Sequence, residues 1–183
     1  MPVLESLVVT VVGPDRPGLV SLLSDRGRQH GASWEQSRMA TLAGQFAGIV
    51  HFQVPAESAA SLARALRELE STGLNVQVAS GAGQAPTAPS TLLALELVGQ
   101  DRPGIVRDVS RAIAELGVSI QELTTEVTSA AMSGEHLFNA TALLQVPLNV
   151  ATADLQRVLE AIANELMVDV QLHTRRDGTA ASA

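Results

Sequence analysis

The sequence contains no cysteine, no lysine and no tyrosine, so all 12 of its basic residues are arginine. Without cysteine the chain has no thiolate nucleophile, no disulfide and no thiolate metal ligand. Without lysine it cannot form a Schiff base or bind phosphate as a Walker loop does. Without tyrosine it has no phenol for acid–base catalysis. These absences remove several classes of enzyme before any motif is considered.

Aromatic side chains are also scarce, at 2% of the 183 residues, whereas 46% of the residues are hydrophobic. This composition is typical of a globular protein with aliphatic cores. The net charge of −7 argues against direct binding to nucleic acid. No apolar run approaches the ~18–20 residues that cross a bilayer, and the first residues do not resemble a signal peptide. We therefore expect a cytoplasmic protein that has no membrane partner.

A segment of the sequence occurs twice, as VGPDRPGLV at Val12–Val20 and as VGQDRPGIV at Val98–Val106, at an offset of 86 residues. A later match between Gln53–Pro55 and Gln145–Pro147 has an offset of 92 residues. The second copy therefore contains six additional residues, which we place in or near Ser129–Glu135. Two copies indicate a duplicated domain, because a solenoid needs three or more repeats.

The stretch between the copies is uncharged and rich in alanine, glycine and proline, which is typical of a linker. We predict a first domain at residues 1–79, a linker at 80–91, a second domain at 92–173 and a flexible tail at 174–183. Only ten residues follow His173, so we expect no further catalytic domain.

Both copies show the same order of elements. Alternating apolar residues, such as Leu7, Val9 and Val11, predict a strand, and apolar residues at helical spacing follow it. Gly31 and Gly117 stand where a glycine ends a helix. The full pattern predicts β-α-β-β-α-β in each copy, an α+β fold of the ferredoxin-like type with an antiparallel sheet and both helices on one face. Because the open sheet face and the edge strands need cover, we expect the copies to pair side by side or the protein to form a homodimer.

The repeated loop joins the first strand to the first helix and is the candidate site. If Asp15 caps the helix, its side chain satisfies the Gly18 amide; Asp15 then suits a ligand's ammonium group and Arg16 its carboxylate. If Pro17 is instead the first helical residue, the amides of Gly18 and Leu19 are freer to bind an anion. The same loop is also a competent turn and cap that needs no ligand.

The two V-G-x-D-R-P-G loops, set in β-α-β-β-α-β copies of this length, resemble those of ACT domains from about Leu4 to His173. A tandem pair of this kind is similar to the glycine cleavage system transcriptional repressor family. ACT domains are regulatory modules that commonly bind amino acids between this loop and the start of the second strand of a neighbouring domain. The resemblance implies the following ligand-binding residues: Gly13, Asp15, Arg16, Pro17, Gly18, Ser33, Gly99, Asp101, Arg102, Pro103, Gly104 and Ser119.

These observations predict a regulatory protein that responds to a small molecule such as an amino acid. We expect it to act on transcription in glycine or amino-acid metabolism by contacting a protein partner such as a transcription activator, without binding nucleic acid itself. The alternative is a ligand-free interaction or dimerisation module, or a regulatory subunit of an amino-acid metabolic enzyme. The alternative is favoured by the absence, near the loops, of an asparagine that many serine- or glycine-binding ACT pairs use.

We expect no enzyme activity, no cofactor and no metal site. No pair of histidines has the short spacing of a metal site on one helix or strand, and the four histidines are His30, His51, His136 and His173. A G-x-S-x-G motif, which would indicate a serine nucleophile, is also absent.

Overall fold

The computed structural model of the chain describes residues 3–81, 89–129 and 136–174. These residues form two compact units, one on each side of residues 82–88. The first unit contains, in chain order, β1 (Leu4–Pro14), α1 (Leu19–Gln29), β2 (Ser33–Leu42), β3 (Gln45–Pro55), α2 (Ala56–Arg67), a 3-10 turn (Glu68–Thr72) and β4 (Asn75–Ser80). The second unit contains β5 (Ser90–Gln100), α3 (Ile105–Glu115), β6 (Ser119–Ser129), β7 (His136–Pro147), α4 (Thr152–Leu166) and β8 (Val168–Thr174). The predicted order of elements is confirmed in both units.

Each unit has one four-stranded sheet, ordered β2-β3-β1-β4 in the first unit and β6-β7-β5-β8 in the second. All neighbouring strands are antiparallel, and the first strand of each unit pairs with the third and the last. The predicted ferredoxin-like α+β fold is therefore confirmed. Because β1 and β5 are inner strands, the loops that follow them leave the middle of the sheet end rather than its edge.

One face of each sheet packs against the two helices and forms an aliphatic core. Leu7, Val9 and Val11 of β1 are at most 2% exposed, as the alternating pattern predicts, and Leu62 and Leu66 of α2 are fully buried. In the second unit β5 contributes to the core in the same way, with Leu93, Leu95 and Leu97. Burying each of these side chains stabilises the fold by about 1.5–3 kcal/mol. Aliphatic packing thus stabilises cores that contain few aromatic side chains.

Both helices that follow the repeated loop end as predicted, at a glycine in the left-handed conformation. Gly31 has a φ of 70° and Gly117 a φ of 72°. Their amides donate hydrogen bonds back to the carbonyls of Arg28 and Ala114. A side chain at either position would be strained, which explains why glycine stands there in both copies.

The connection between α2 and β4 contains a 3-10 turn that the sequence pattern did not predict. The hydroxyl groups of Ser71 and Thr72 donate to the carbonyls of Glu68 and Leu69, three residues earlier. Such local bonds compete with regular helix, so α2 ends at Arg67. In the second unit α4 continues without a 3-10 turn to Leu166.

The ends of the predicted linker belong to strands. Ser80 pairs with Leu7, and Ser90 pairs with Pro147, because the outer residues of β4 and β5 extend their sheets. Residues 82–88 of the predicted linker, residues 130–135 of the predicted insertion and residues 175–183 of the predicted tail lie outside the described residues.

We expect Leu62→Ala to lower the free energy of unfolding by about 2–5 kcal/mol, because it leaves a cavity under the sheet. Leu42→Ala is the matched control, since Leu42 is 80% exposed and its loss should change stability by at most about 0.5 kcal/mol. Chemical denaturation followed by circular dichroism measures both. Equal losses for the two variants would contradict the assigned core.

Candidate functional site: the loops after the first strand of each unit

The two repeated loops are anchored in the same way at the end of their sheets. The Asp15 amide donates to the Gly44 carbonyl at 2.9 Å, and the Asp101 amide donates to the His136 carbonyl at 2.8 Å. Each loop is thereby fixed beside the connection between the second and third strands of its own unit. Gly44 and His136 are contacts that the sequence did not reveal, because they come from a distant part of each copy.

Each helix begins after the second glycine of the loop. Gly18 has a φ of 93° and Gly104 a φ of 103°, and these residues are the N-caps of α1 and α3. Both arrangements considered from the sequence are therefore wrong: Asp15 does not cap the helix, and Pro17 is not its first residue. No side chain caps either helix, so no side chain competes for the amides of the first turn.

The first glycine of each loop segment, by contrast, is packed against the unit's own backbone. A Cβ on Gly13 would lie 2.9 Å from the Gly73 carbonyl oxygen, and a Cβ on Gly99 would lie 2.8 Å from the Val168 Cβ. The missing side chain thus makes room for the start of the last strand. This contact accounts for glycine at both positions without a ligand.

The charged residues of the first loop are exposed. The Arg16 guanidinium donates to the Thr72 carbonyl at 2.9 Å, at the end of the 3-10 turn. No described residue forms a hydrogen bond or an ion pair with the side chain of Asp15, and Pro17 and Gly18 are also exposed. The first loop therefore offers a free carboxylate and a guanidinium that has one solvent-exposed contact with the protein.

The second loop differs from the first in its arginine. Arg102 is half-buried, and within the described ranges nothing forms a hydrogen bond or an ion pair with its guanidinium. Asp101 and Pro103 are exposed, and Gly104 is half-buried. Because α4 has no 3-10 turn after it, the second unit has no counterpart of the bond from Arg16 to Thr72 among its described residues.

The first turn of the helix also differs between the units. Arg107 donates to Asp108 at 2.8 Å, and the Asp108 carboxylate lies 3.5 Å from the position that a Cβ on Gly104 would take. The hydrogen bond and the charge of Asp108 raise the pKa of Arg107. The first unit has Leu22 at the position of Asp108, and α1 has no acidic residue in its first turn. A carboxylate near the start of a helix opposes the binding of a second anion there, so α1 is the more favourable of the two for an anion.

Ser33 and Ser119, the first residues of β2 and β6, are exposed, and the fold does not bring them to the loop of their own unit. Ser33 and Ser6 both pair with Gln53 of β3, so Ser33 lies at the level of Ser6 in the sheet. The loop follows Pro14, at the other end of β1. At about 3.3 Å per residue, the two places lie roughly 25 Å apart. A site that combines a loop with one of these serines therefore needs another domain.

A further polar contact lies on the first sheet, where Ser6 Oγ and His51 Nε2 are 2.6 Å apart. His51 pairs with Val8 of β1, and on its other side β2 has a bulge that contains Glu35 beside Gln36. Within the described ranges no three metal-binding side chains are grouped. Among the helices of the described ranges, none has the length and apolar character needed to span a bilayer.

Comparison with known proteins agrees with this architecture. The family model described as the ACT domain matches the chain twice, at residues 5–79 and 91–173. The crystal structure of an unknown protein from Galdieria sulphuraria is similar with a TM-score of 0.85 and 29% identity, covering 95% of this chain and 100% of that one. No curated protein matches the sequence.

A second crystal structure, of a provisionally assigned glycine cleavage system transcriptional repressor, is similar with a TM-score of 0.71. The two chains are 18% identical, and the similarity covers 96% of this chain and 99% of the other. At this identity the similarity establishes a shared fold.

We expect Gly18→Ala to destabilise the protein by about 1–2 kcal/mol, because a left-handed residue with a Cβ is strained. No described atom lies within 4 Å of the added Cβ, so the cost should come from the backbone and not from a collision. Gly18→Asn is the control and should lose less, since asparagine tolerates this conformation better. Thermal and chemical unfolding measure the order of the variants, and an equal loss for both would contradict the assigned N-cap.

Proposed function

The chain belongs to the ACT-domain family, and from this we propose that it is a regulatory protein that senses a small molecule, an amino acid, at the loops after β1 and β5. ACT domains are regulatory ligand-binding modules. The proposed ligand-binding residues are those named from the sequence, with the charged side chains of the two loops as the main determinants: Asp15, Arg16, Asp101 and Arg102.

One observation carries this proposal. In both units the helix begins after a left-handed glycine without a side-chain cap, directly beside an exposed aspartate and an arginine. Helix-start amides and a guanidinium bind a carboxylate, and an aspartate binds an ammonium group. An α-amino acid carries both charges on adjacent groups, so its chemistry matches that of the loop.

The proposed output is a change in contacts with another protein. The net charge of −7 opposes binding to DNA, so an effect on transcription would run through a DNA-bound partner such as a transcription activator. Fold similarity to a provisionally assigned glycine cleavage repressor supports glycine or amino-acid metabolism as the regulated pathway. We further propose a cytoplasmic homodimer, in which the ligand changes the arrangement of the domains only if it binds one arrangement more tightly.

The second candidate function is a ligand-free interaction module or regulatory subunit. A specific observation favours it, because several of the proposed ligand-binding residues already have contacts within the protein. Gly13 and Gly99 accommodate the last strands, and Arg16 bonds to the Thr72 carbonyl. In this view the loops would serve only as turns. We propose no catalytic role under either function.

A ligand screen distinguishes the two functions. We expect one or more amino acids, at 100 times their dissociation constant, to stabilise the protein by about 2.7 kcal/mol in thermal-shift measurements. Arg16→Ala and Arg102→Ala should each weaken binding at their own loop in isothermal titration calorimetry. Arg102→Ala should leave stability unchanged, whereas Arg16→Ala should cost at most about 1 kcal/mol through its lost hydrogen bond.

Arg28→Ala is the matched control for these variants, because Arg28 is an exposed arginine of α1 whose only described ion pair, with Asp25, is 3.8 Å long. It should change neither binding nor stability measurably. The absence of a response to any amino acid would exclude the sensor and favour the ligand-free module. Binding that survives the loss of both loop arginines would place the site elsewhere.

We also expect the protein alone not to bind duplex DNA. Fluorescence anisotropy of a labelled duplex at ~0.15 M salt should show no change up to about 10 µM protein, because the acidic chain repels the phosphates. Tight binding under these conditions would refute the proposal that a protein partner contacts the DNA.

A further inference from the structure

A groove lies between α3 and α4 of the second unit, away from the loops described above. It has a volume of about 410 Å³. Its apolar lining consists of Ala112 of α3 and of Ile162 and Leu166 of α4. Ile162 and Leu166 are half-buried, so part of each apolar side chain remains open to solvent. The volume is near the lower end of the ~300–1,000 Å³ of ligand sites, which suits one long side chain better than a whole helix.

Charged side chains surround this apolar lining. Arg107 bonds to Asp108 at 2.8 Å, and Arg111 bonds to Glu115 at 2.9 Å. The fifth charged group is the carboxylate of Glu165, with which no described residue forms a hydrogen bond or an ion pair. The groove therefore has one carboxylate more than it has guanidinium groups, and its net negative charge favours a cation.

In the first unit an arginine of the chain itself stands at the corresponding place. The offset of 86 residues puts Arg26 of α1 at the position of Ala112, and Gln29 at the position of Glu115. The Nε atom of Arg26 is buried and has no partner among the described residues, and its Nη1 donates to the side-chain oxygen of Gln29 at 3.4 Å. The domain thus accommodates a guanidinium at this position of its first helix, whereas the second unit has only a methyl group there.

One wall of the groove is particular to the second unit. The buried residues Leu66 and Leu159 correspond at an offset of 93 residues, so the end of α2 at Arg67 corresponds to residue 160. Helix α4 instead continues to Leu166, and its last six residues, which include Glu165, have no α-helical counterpart in the first unit. A small residue on α3 and a longer α4 together make the groove.

An arginine side chain matches both parts of this lining. Its stem is apolar, and its guanidinium donates parallel hydrogen bonds to carboxylates. We propose that the groove binds an arginine side chain of a partner protein, with the stem over the apolar lining and the guanidinium at Glu115 and Glu165. Arg111 bonds to Oε1 of Glu115, so Oε2 can accept the bound group. The partner would thereby supply the group that Arg26 supplies at the same position of the first unit.

This inference rests on the output of the proposed function, a contact with another protein, and does not involve the loops after β1 and β5. The test uses N-acetyl-arginine methylamide, which has the stem and the guanidinium but neither a free ammonium group nor a free carboxylate. This probe lacks the charged groups by which an amino acid would bind at the loops. Its success or failure is therefore independent of the ligand screen.

Titration of the isotopically labelled full chain with this probe, followed by NMR, should shift the amide signals of α3 and of the last two turns of α4. We expect a dissociation constant on the order of 1 mM, as for other ligands of this size. N-acetyl-lysine methylamide should bind about threefold more weakly or worse, because an ammonium group lacks the planar fork of a guanidinium. The absence of localised shifts up to about 50 mM, or equal binding of the lysine probe, would overturn the inference.

Glu165→Gln should raise the dissociation constant of the arginine probe about three- to fivefold, the effect expected of one ion pair that solvent reaches. Glu160→Gln is the matched control, because Glu160 is an exposed carboxylate of the same helix that does not line the groove. Its effect should be smaller than about 1.5-fold, since a charge outside the site is screened. Equal effects of the two variants would show a general influence of charge and would contradict the assigned groove.

Ala112→Arg transfers the arginine of the first unit to the second. It should abolish the localised shifts, because the new side chain occupies the groove from within. Thermal unfolding checks that this variant folds, and Glu165→Gln, at an exposed position, tests the site independently of that result. Undiminished binding to a folded Ala112→Arg variant would place the probe elsewhere.

Free L-arginine distinguishes a protein side chain from a small molecule. If it bound in the groove ten times more tightly than the blocked probe, the occupant would be a small molecule and the proposed protein contact would be wrong. Selective binding of the blocked arginine, weakened by Glu165→Gln and not by Glu160→Gln, supports the inference. A negative amino-acid screen would leave this result intact, and failure of the probe would leave the amino-acid sensor intact.

Discussion

The last strand of each unit starts against a glycine of the first strand, and the position of the loop depends on this close contact. A Cβ on Gly13 would lie 3.2 Å from the Leu74 Cα, and a Cβ on Gly99 would lie 3.0 Å from the Val168 Cα. Backbone atoms at these distances cannot move aside without breaking the pairing of the strands. The end of the first strand is therefore held between the third strand and the last, and the loop leaves from a rigid point.

The same rigid geometry carries different chemistry in the two units. Both helices begin at a left-handed glycine, but only α3 has an acidic residue in its first turn, and the only loop arginine bonded to the described backbone is Arg16. The second strands diverge in the same manner, since Glu122 and Glu126 of β6 stand where β2 has Gln36 and Ala40, and Gln121 stands where β2 has Glu35. A duplicated domain can in this way give one copy an altered binding loop and an altered surface without changing its core.

Regulation by a domain of this kind requires the ligand to distinguish between two arrangements. A ligand carboxylate that binds Arg16 would meet a guanidinium whose Nη2 already donates to the Thr72 carbonyl, which links the loop to the 3-10 turn before β4. Binding at the second loop would meet Arg102, which has no such contact among the described residues. The two loops would therefore differ in how strongly ligand binding affects the rest of their unit.

The sequence by itself determined the duplication, the order of the elements and the glycines that end α1 and α3, because period-two and helical patterns and left-handed turns are local properties of the chain. It also located the loops by their repetition. Only the tertiary structure decided that Gly18 and Gly104, and not Asp15 or Pro17, begin the helices, because several caps are compatible with the same residues. Likewise, the approach of Leu74 to Gly13, the bond from Arg16 to Thr72 and the distance of Ser33 from its own loop depend on residues far apart in the sequence. Contacts of this kind follow from how the strands pair and pack, which local patterns do not encode.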